Sequence, residues 1–107
     1  MELFIDTTDR EKIVLELRDG RQTIAKIQKS LEKLSERLLP EIGQFLKARR
    51  VRLSDLEMIL VNPGPGGFSA TRTGVATANA LNFALGIDKV VLPKYGKLPN
   101  ITKARLR

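Results

Sequence analysis

The stretch Asn62-Pro63-Gly64-Pro65-Gly66-Gly67-Phe68-Ser69-Ala70-Thr71-Arg72-Thr73-Gly74 limits what this chain can fold into more than any other. It holds four of the eight glycines and two of the five prolines. An apolar run, Leu56 to Val61, leads into it, and a long alanine-rich run, Val75 to Leu85, leads out. Turn residues between two such runs predict a strand, a tight loop and a helix opened by that loop. The prolines fix φ and remove N–H donors, while the glycines let other groups come close to the backbone. Such a loop either cradles a ligand or makes a close protein contact.

The rest of the chain supplies six more elements. Residues 2–6 read as a first strand, closed by the turn cluster Asp6-Thr7-Thr8-Asp9. Residues 12–18 read as a second, and Asp19-Gly20 as a two-residue hairpin turn into a third over residues 22–27. From Ser30 to Lys47 the apolar period changes: Leu31, Leu34, Leu38, Ile42 and Phe45 recur every three or four residues, an amphipathic helix that Pro40 should kink or divide near Leu39. Ser54, with Glu57 three residues on, suits a capping box opening one helical turn. Glu57–Val61 is then a fourth strand, apolar enough to be central. Residues 69–85 form the second helix, with Gly86 as its C-cap, and Lys89–Pro93 a fifth strand. The order β-β-β-α-β-α-β predicts an α/β fold with a five-stranded mixed sheet and both helices on one face. Residues 1–93 would be one domain and 94–107 a loose basic tail.

Composition narrows the chemistry. With no cysteine and no histidine, thiol chemistry, disulfides, histidine-ligated zinc and a histidine general base are all excluded for these 107 residues. Paired carboxylates of the kind a hydrolase needs are not evident. The net charge is +7, and the excess lies late in the chain: residues 56–107 hold seven Lys/Arg against two Asp/Glu. Such a tail can attract nucleic acid or an acidic partner, or can simply be solvated. The start, Met1-Glu2-Leu3-Phe4-Ile5-Asp6, carries acids where a secretory signal carries bases, so a cytoplasmic, membrane-free protein is expected.

The loop itself fits no phosphate-binding signature. No lysine follows Gly66 or Gly67 as in a P-loop, and Gly64-Pro65-Gly66 is not followed by the spacing of the dinucleotide fingerprint. Asp6, Thr8, Gly66 and Gly67 remain candidates for a nucleotide or phosphate contact. Arg72, one turn into the helix, could bridge to a carboxylate.

Several of these motifs, in this order, resemble one family. Leu3-Phe4-Ile5-Asp6-Thr7-Thr8 looks like the first-strand motif of the ASKHA-type ATPase fold. Leu38-Leu39-Pro40 with its apolar stripe, and Leu53-Ser54-Asp55-Leu56-Glu57 before an apolar strand, look like second and third family motifs. Gly64-Pro65-Gly66-Gly67-Phe68-Ser69-Ala70-Thr71-Arg72-Thr73-Gly74-Val75-Ala76-Thr77-Ala78 is similar to the glycine-loop and helix segment of the TsaB (YeaZ) family. The resemblance covers about residues 2–92. Here Gly67 stands where the family has serine, Ala70 where it has glycine, Thr71 where it has leucine and Thr73 where it has isoleucine or valine.

The resemblance implies an actin-like (ASKHA, RNase H-like) subdomain without catalysis of its own, the second subdomain of the family being missing. It implies an accessory subunit in tRNA N6-threonylcarbamoyladenosine biosynthesis, paired with a TsaD-type catalytic subunit and joined by a TsaE-type ATPase. It would meet tRNA only indirectly. It would bind no cofactor alone, with ATP or ADP held at a complex interface. Pairing would use the two helices, so the interface candidates are Leu31, Leu34, Leu38, Ile42, Phe45, Phe68, Arg72, Val75, Ala76 and Asn79, and the same helices would support a homodimer. Thr71 and Thr73 would make that face less apolar. Two other classes stay open: an ASKHA-fold nucleotide-binding or phosphotransfer protein, and a small basic RNA-binding module using Arg49, Arg50, Arg52 and the tail. With one tyrosine and four phenylalanines, little is available for base stacking.

Overall fold

In a computed structural model, residues 1–94 are described. The expected basic tail, apart from Lys94, lies outside the described residues. The elements are β1 (Glu2–Asp6), β2 (Lys12–Asp19), β3 (Gln22–Ser30), α1 (Leu34–Ala48), a 3-10 turn (Leu53–Asp55), β4 (Met58–Val61) and α2 (Phe68–Ala84). Four strands pair in the order β3-β2-β1-β4, antiparallel except for the parallel pair β1–β4. The mixed α/β sheet is as expected, but among the described residues it has four strands rather than five, since residues 89–93 form none.

Register puts Leu3, Ile5, Ile13, Leu15, Leu17 and Ile59 on one face. Both helices cover that face, adding Leu38, Ile42, Phe45 and Ala78 to a single buried core. On the opposite face Phe4, Val14, Met58 and Leu60 are half-buried, with the Arg18 guanidinium 4.3 Å over the Phe4 ring. Arg18 also donates to Glu16 at 2.6 Å, and Thr23 donates to the same oxygen at 2.9 Å. These contacts outweigh burial and hold the Glu16 carboxyl below its ordinary value.

Several boundaries differ from the sequence reading, each for a physical reason. The hairpin turn is Gly20-Arg21, one place later than Asp19-Gly20, because Asp19 pairs with Gln22. A bulge at Leu17/Arg18 leaves Ile24 without a partner, 53% exposed. β3 runs on to Ser30 because it pairs with β2 along its whole length; this sheet pairing overrides the helical spacing of Leu31 and delays α1 to Leu34. Pro40 does not divide α1. Its side chain is exposed, and the hydrogen bond it removes belongs to the solvated side around Glu36 and Pro40. The 3-10 turn is capped by Asp55, whose carboxylate accepts from the Arg52 N–H at 2.9 Å, rather than by Ser54 and Glu57.

β4 is an edge strand, not a central one. Residues 89–93 follow its direction, with Lys89 near Met58 at one end and the Lys94 N–H bonded to Pro63 O at the other, yet they form no ladder. Two asparagines on α2 take the places that a ladder would fill. The fully buried Asn82 accepts from the Ile59 N–H at 2.9 Å and donates to the Ile59 C=O at 3.0 Å. Asn79 does the same for Val91, both bonds being 2.9 Å. A carboxamide presents one donor and one acceptor, so it stands in for one residue of a neighbouring strand. α2 ends as expected at Gly86, in a Schellman arrangement with Ile87 N–H bonded to Asn82 O at 2.8 Å.

Asn82→Ala would leave the Ile59 N–H and C=O buried without partners. Each orphaned group costs about 1–3 kcal/mol. Urea unfolding should show a loss of that order for Asn82→Ala and a smaller one for Asn79→Ala, whose partner segment is exposed.

Candidate functional site

The Gly/Pro loop and the first turn of α2 lie against the end of β1 at contact distances that leave no room for side chains. A Cβ on Gly66 would come within 2.5 Å of Thr8 Cβ, and one on Gly67 within 2.4 Å of Arg10 Cγ. The Gly67 N–H donates to Thr8 O at 2.9 Å. A Cβ on Gly74 would stand 2.2 Å from the Oγ1 of Thr7, which is fully buried and donates to Ala70 O at 2.6 Å. Of the two uses open to such a loop, these contacts show an intramolecular one. The Gly64–Pro65 peptide bond is cis.

Asp6 and Thr8 belong to the same knot. The Asp6 carboxylate accepts from the Thr8 N–H (2.9 Å), the Thr8 hydroxyl (2.7 Å) and Asn62 Nδ2 (3.1 Å), and Asn62 Oδ1 accepts from the Gly64 N–H at 3.1 Å. Burial pushes the Asp6 carboxyl up, but these three donors together hold it below its ordinary value. The four nucleotide-contact candidates Asp6, Thr8, Gly66 and Gly67 are thus brought together, but against one another. Thr8 and Arg10 lie where a Cβ on Gly66 or Gly67 would stand. Among the described residues there is no cluster of acids that could hold a metal.

The interface candidates divide by burial. Leu38, Ile42, Phe45 and Val75 are at most 3% exposed and form the core beneath the helices. Leu31 precedes α1 and, like Leu34, is half-buried against that core. Asn79 is tied to Val91. Phe68, Arg72 and Ala76 face outward, the Arg72 guanidinium 5.3 Å from the Phe68 ring centre. Thr71 does not lie on the outer face at all: it is fully buried, and its hydroxyl has no hydrogen-bond partner among the described residues. Leu39 (57% exposed) and Phe83 (85% exposed), which are not among the interface candidates, are the most exposed large apolar side chains of α1 and α2. Their signal was present, since Leu39 sits beside the apolar stripe rather than in it, and Phe83 continues the Arg72-Ala76-Ala80 row one turn on.

The outward surface of the pair is therefore low and narrow. α2 contributes Arg72, Ala76, Ala80 and Phe83; α1 contributes Leu39, Gly43 and Lys47. A basin of about 880 Å³ opens at the N-terminal ends of both helices, between Arg10, Lys33, Phe68 and Thr73. A second, apolar groove of about 460 Å³ lies between the C-terminal half of α1 and Leu81.

A family model described as TsaD, tRNA N6-adenosine threonylcarbamoyltransferase, matches residues 26–94, well over half the chain. The chain belongs to this family. Within it, the similarity is to TsaB/YeaZ proteins. The tRNA threonylcarbamoyladenosine biosynthesis protein TsaB of Buchnera aphidicola is 35% identical over 54 residues, 50% of this chain and 24% of that protein. An uncharacterized protein of Mycobacterium tuberculosis is 39% identical over 62 residues, 58% of this chain and 27% of that protein. YeaZ from Pseudomonas aeruginosa superposes with a TM-score of 0.71 at 27% identity, covering 85% of this chain and 43% of that one. The chain thus spans about a quarter of the length of the curated relatives it matches, and under half of YeaZ. No helix among the described residues is long and apolar enough to cross a membrane.

Three substitutions test the packing of this TsaB-like knot, two against each other and one in the opposite direction. Gly74→Ala should cost about 1–3 kcal/mol through overpacking against Thr7, and Thr7→Ala in the same chain should return part of the loss. Thr71→Val removes a buried hydroxyl without a partner and should raise stability by about 1 kcal/mol. Thermal or urea unfolding reads both signs.

Proposed function

We propose that this chain is a non-catalytic TsaB-like subunit. It supports N6-threonylcarbamoyladenosine modification of tRNA by docking the outer face of α1 and α2 on a TsaD-type catalytic subunit. The observation that carries this reading is the helical face, on a chain of this family. Its central positions, Ala76, Ala80 and Gly43, are small and exposed, so another helix can approach closely, and Leu39, Phe68 and Phe83 stand around them as apolar anchors. Leu39 and Phe83 are exposed on this side of the helices, while the sheet is covered by the buried faces of the same helices. A TsaE-type ATPase joins the complex, and tRNA is reached through the catalytic subunit. A second copy of the chain would use the same small-residue row of α2 when no partner is present. The supporting role is carried by positioning alone, and no bond-making step is assigned to these residues.

Ala76→Glu and Leu39→Glu place a charge on this face without touching the core. Each should weaken binding to a purified TsaD-type subunit at least about tenfold, the cost of desolvating an unpaired charge in an interface, while leaving the unfolding midpoint within about 1 kcal/mol of wild type. Titration calorimetry checks this. Wild-type affinity in both variants would refute docking through this face.

A further inference from the structure

We infer that the groove beside the C-terminal half of α1 receives an apolar anchor from an acidic amphipathic helix of another protein. This rests on the helical-face reading above and names the chemistry of what meets one end of that face. The groove is floored by Ile42, Leu46, Val51 and Leu81, with Leu39 exposed at its rim. Gly43 leaves it open, since a Cβ there would meet nothing within 4 Å. One side is edged by Lys47, Arg50 and Arg52, and no carboxylate lines it.

Two acids of neighbouring positions are engaged. Glu41 accepts from Lys29 at 3.0 Å on the other side of α1, and Asp55 pairs with Arg52 at 3.4 Å. Among the described residues Lys47 and Arg50 have no ion-pair partner. Arg50 is fixed by its backbone at φ 58, with its N–H bonded to Lys47 O. An apolar slot lined by the unpaired cations Lys47 and Arg50, with the Asp55-paired Arg52 beside them, is complementary to an amphipathic helix carrying acids beside its apolar stripe. Two other occupants fit less well. A second copy across a two-fold axis would set this cationic edge against itself. RNA would meet the cations but find no aromatic side chain in the slot on which to stack a base.

Two variants separate charge from shape: Lys47→Glu/Arg50→Glu reverses the edge, and Gly43→Leu fills the slot. The probe is a labelled synthetic helix with leucines at i, i+3, i+4 and i+7 and glutamates flanking them, read by fluorescence anisotropy on the full chain; a version with lysines for glutamates is the control. The acidic helix should bind and the basic one should not. Each variant should weaken the acidic helix at least about tenfold, and affinity for wild type should fall as salt rises. Equal binding of both helices, no binding of the acidic one, or unchanged affinity in the variants would overturn the inference. So would a charge-reversal variant that lost only self-association or only tRNA affinity. Failure of the TsaD-type subunit to bind the wild-type chain would overturn the helical-face reading instead, whatever the synthetic helix does.

Discussion

The structure depends on how closely the first turns of α2 lie on the end of β1. Gly74 has no Cβ where Thr7 Oγ1 needs its space, and Gly66 has none where Thr8 does. Thr7 then reaches the Ala70 carbonyl, and the Gly67 N–H reaches Thr8 O. A helix held this near to a strand end fixes its own rotation. Thr71, Gly74, Val75, Ala78 and Asn82 face the sheet, and Arg72, Ala76, Ala80 and Phe83 must face outward. The glycine-rich loop packs on the end of β1 and orients the second helix.

That orientation has consequences at both ends of α2. At its C-terminal end Asn82 and Asn79 meet β4 and residues 89–93 and take over the backbone groups of Ile59 and Val91. The fourth strand is thereby satisfied at an edge without a fifth beside it. At its N-terminal end the helix stands over Asp6 and Asn62, whose hydrogen bonds bind the β1 turn to the loop after β4. Sheet, loop and helix are one unit, and α1 completes it through the core and the Lys29–Glu41 pair to β3.

Much of this was legible in the residues, and the failures were of one kind. Alternation and turn chemistry located three strands, and a 3.6-residue stripe located α1, because side-chain periodicity is a local property. What misled was pairing. Leu31 carried the helical period, yet β3 continued up to Ser30 because β2 offered a partner, and α1 began only at Leu34. Lys89–Pro93 had strand composition, yet Asn79 took its hydrogen bonds. Glu57–Val61 was apolar enough for a central strand, yet no strand lies on its far side among the described residues. The leucine stripe marked where α1 is buried, so Leu38, Ile42 and Phe45 belonged to the core, and the residue that faces out, Leu39, was the one beside the stripe.

By itself the sequence determined the α/β class, the strand–loop–helix unit around Gly64–Gly74, the absence of histidine and cysteine chemistry in these residues, and enough motif order to point to the TsaB/YeaZ proteins. These follow from composition and from spacing along one element. Only the tertiary structure decided that the glycines admit Thr8 and Thr7, that residues 89–93 form no fifth strand, that Thr71 is interior, and which side of each helix faces outward. Each of those is a distance between atoms far apart in the chain, and a linear pattern carries no information about which of several possible neighbours arrives there first.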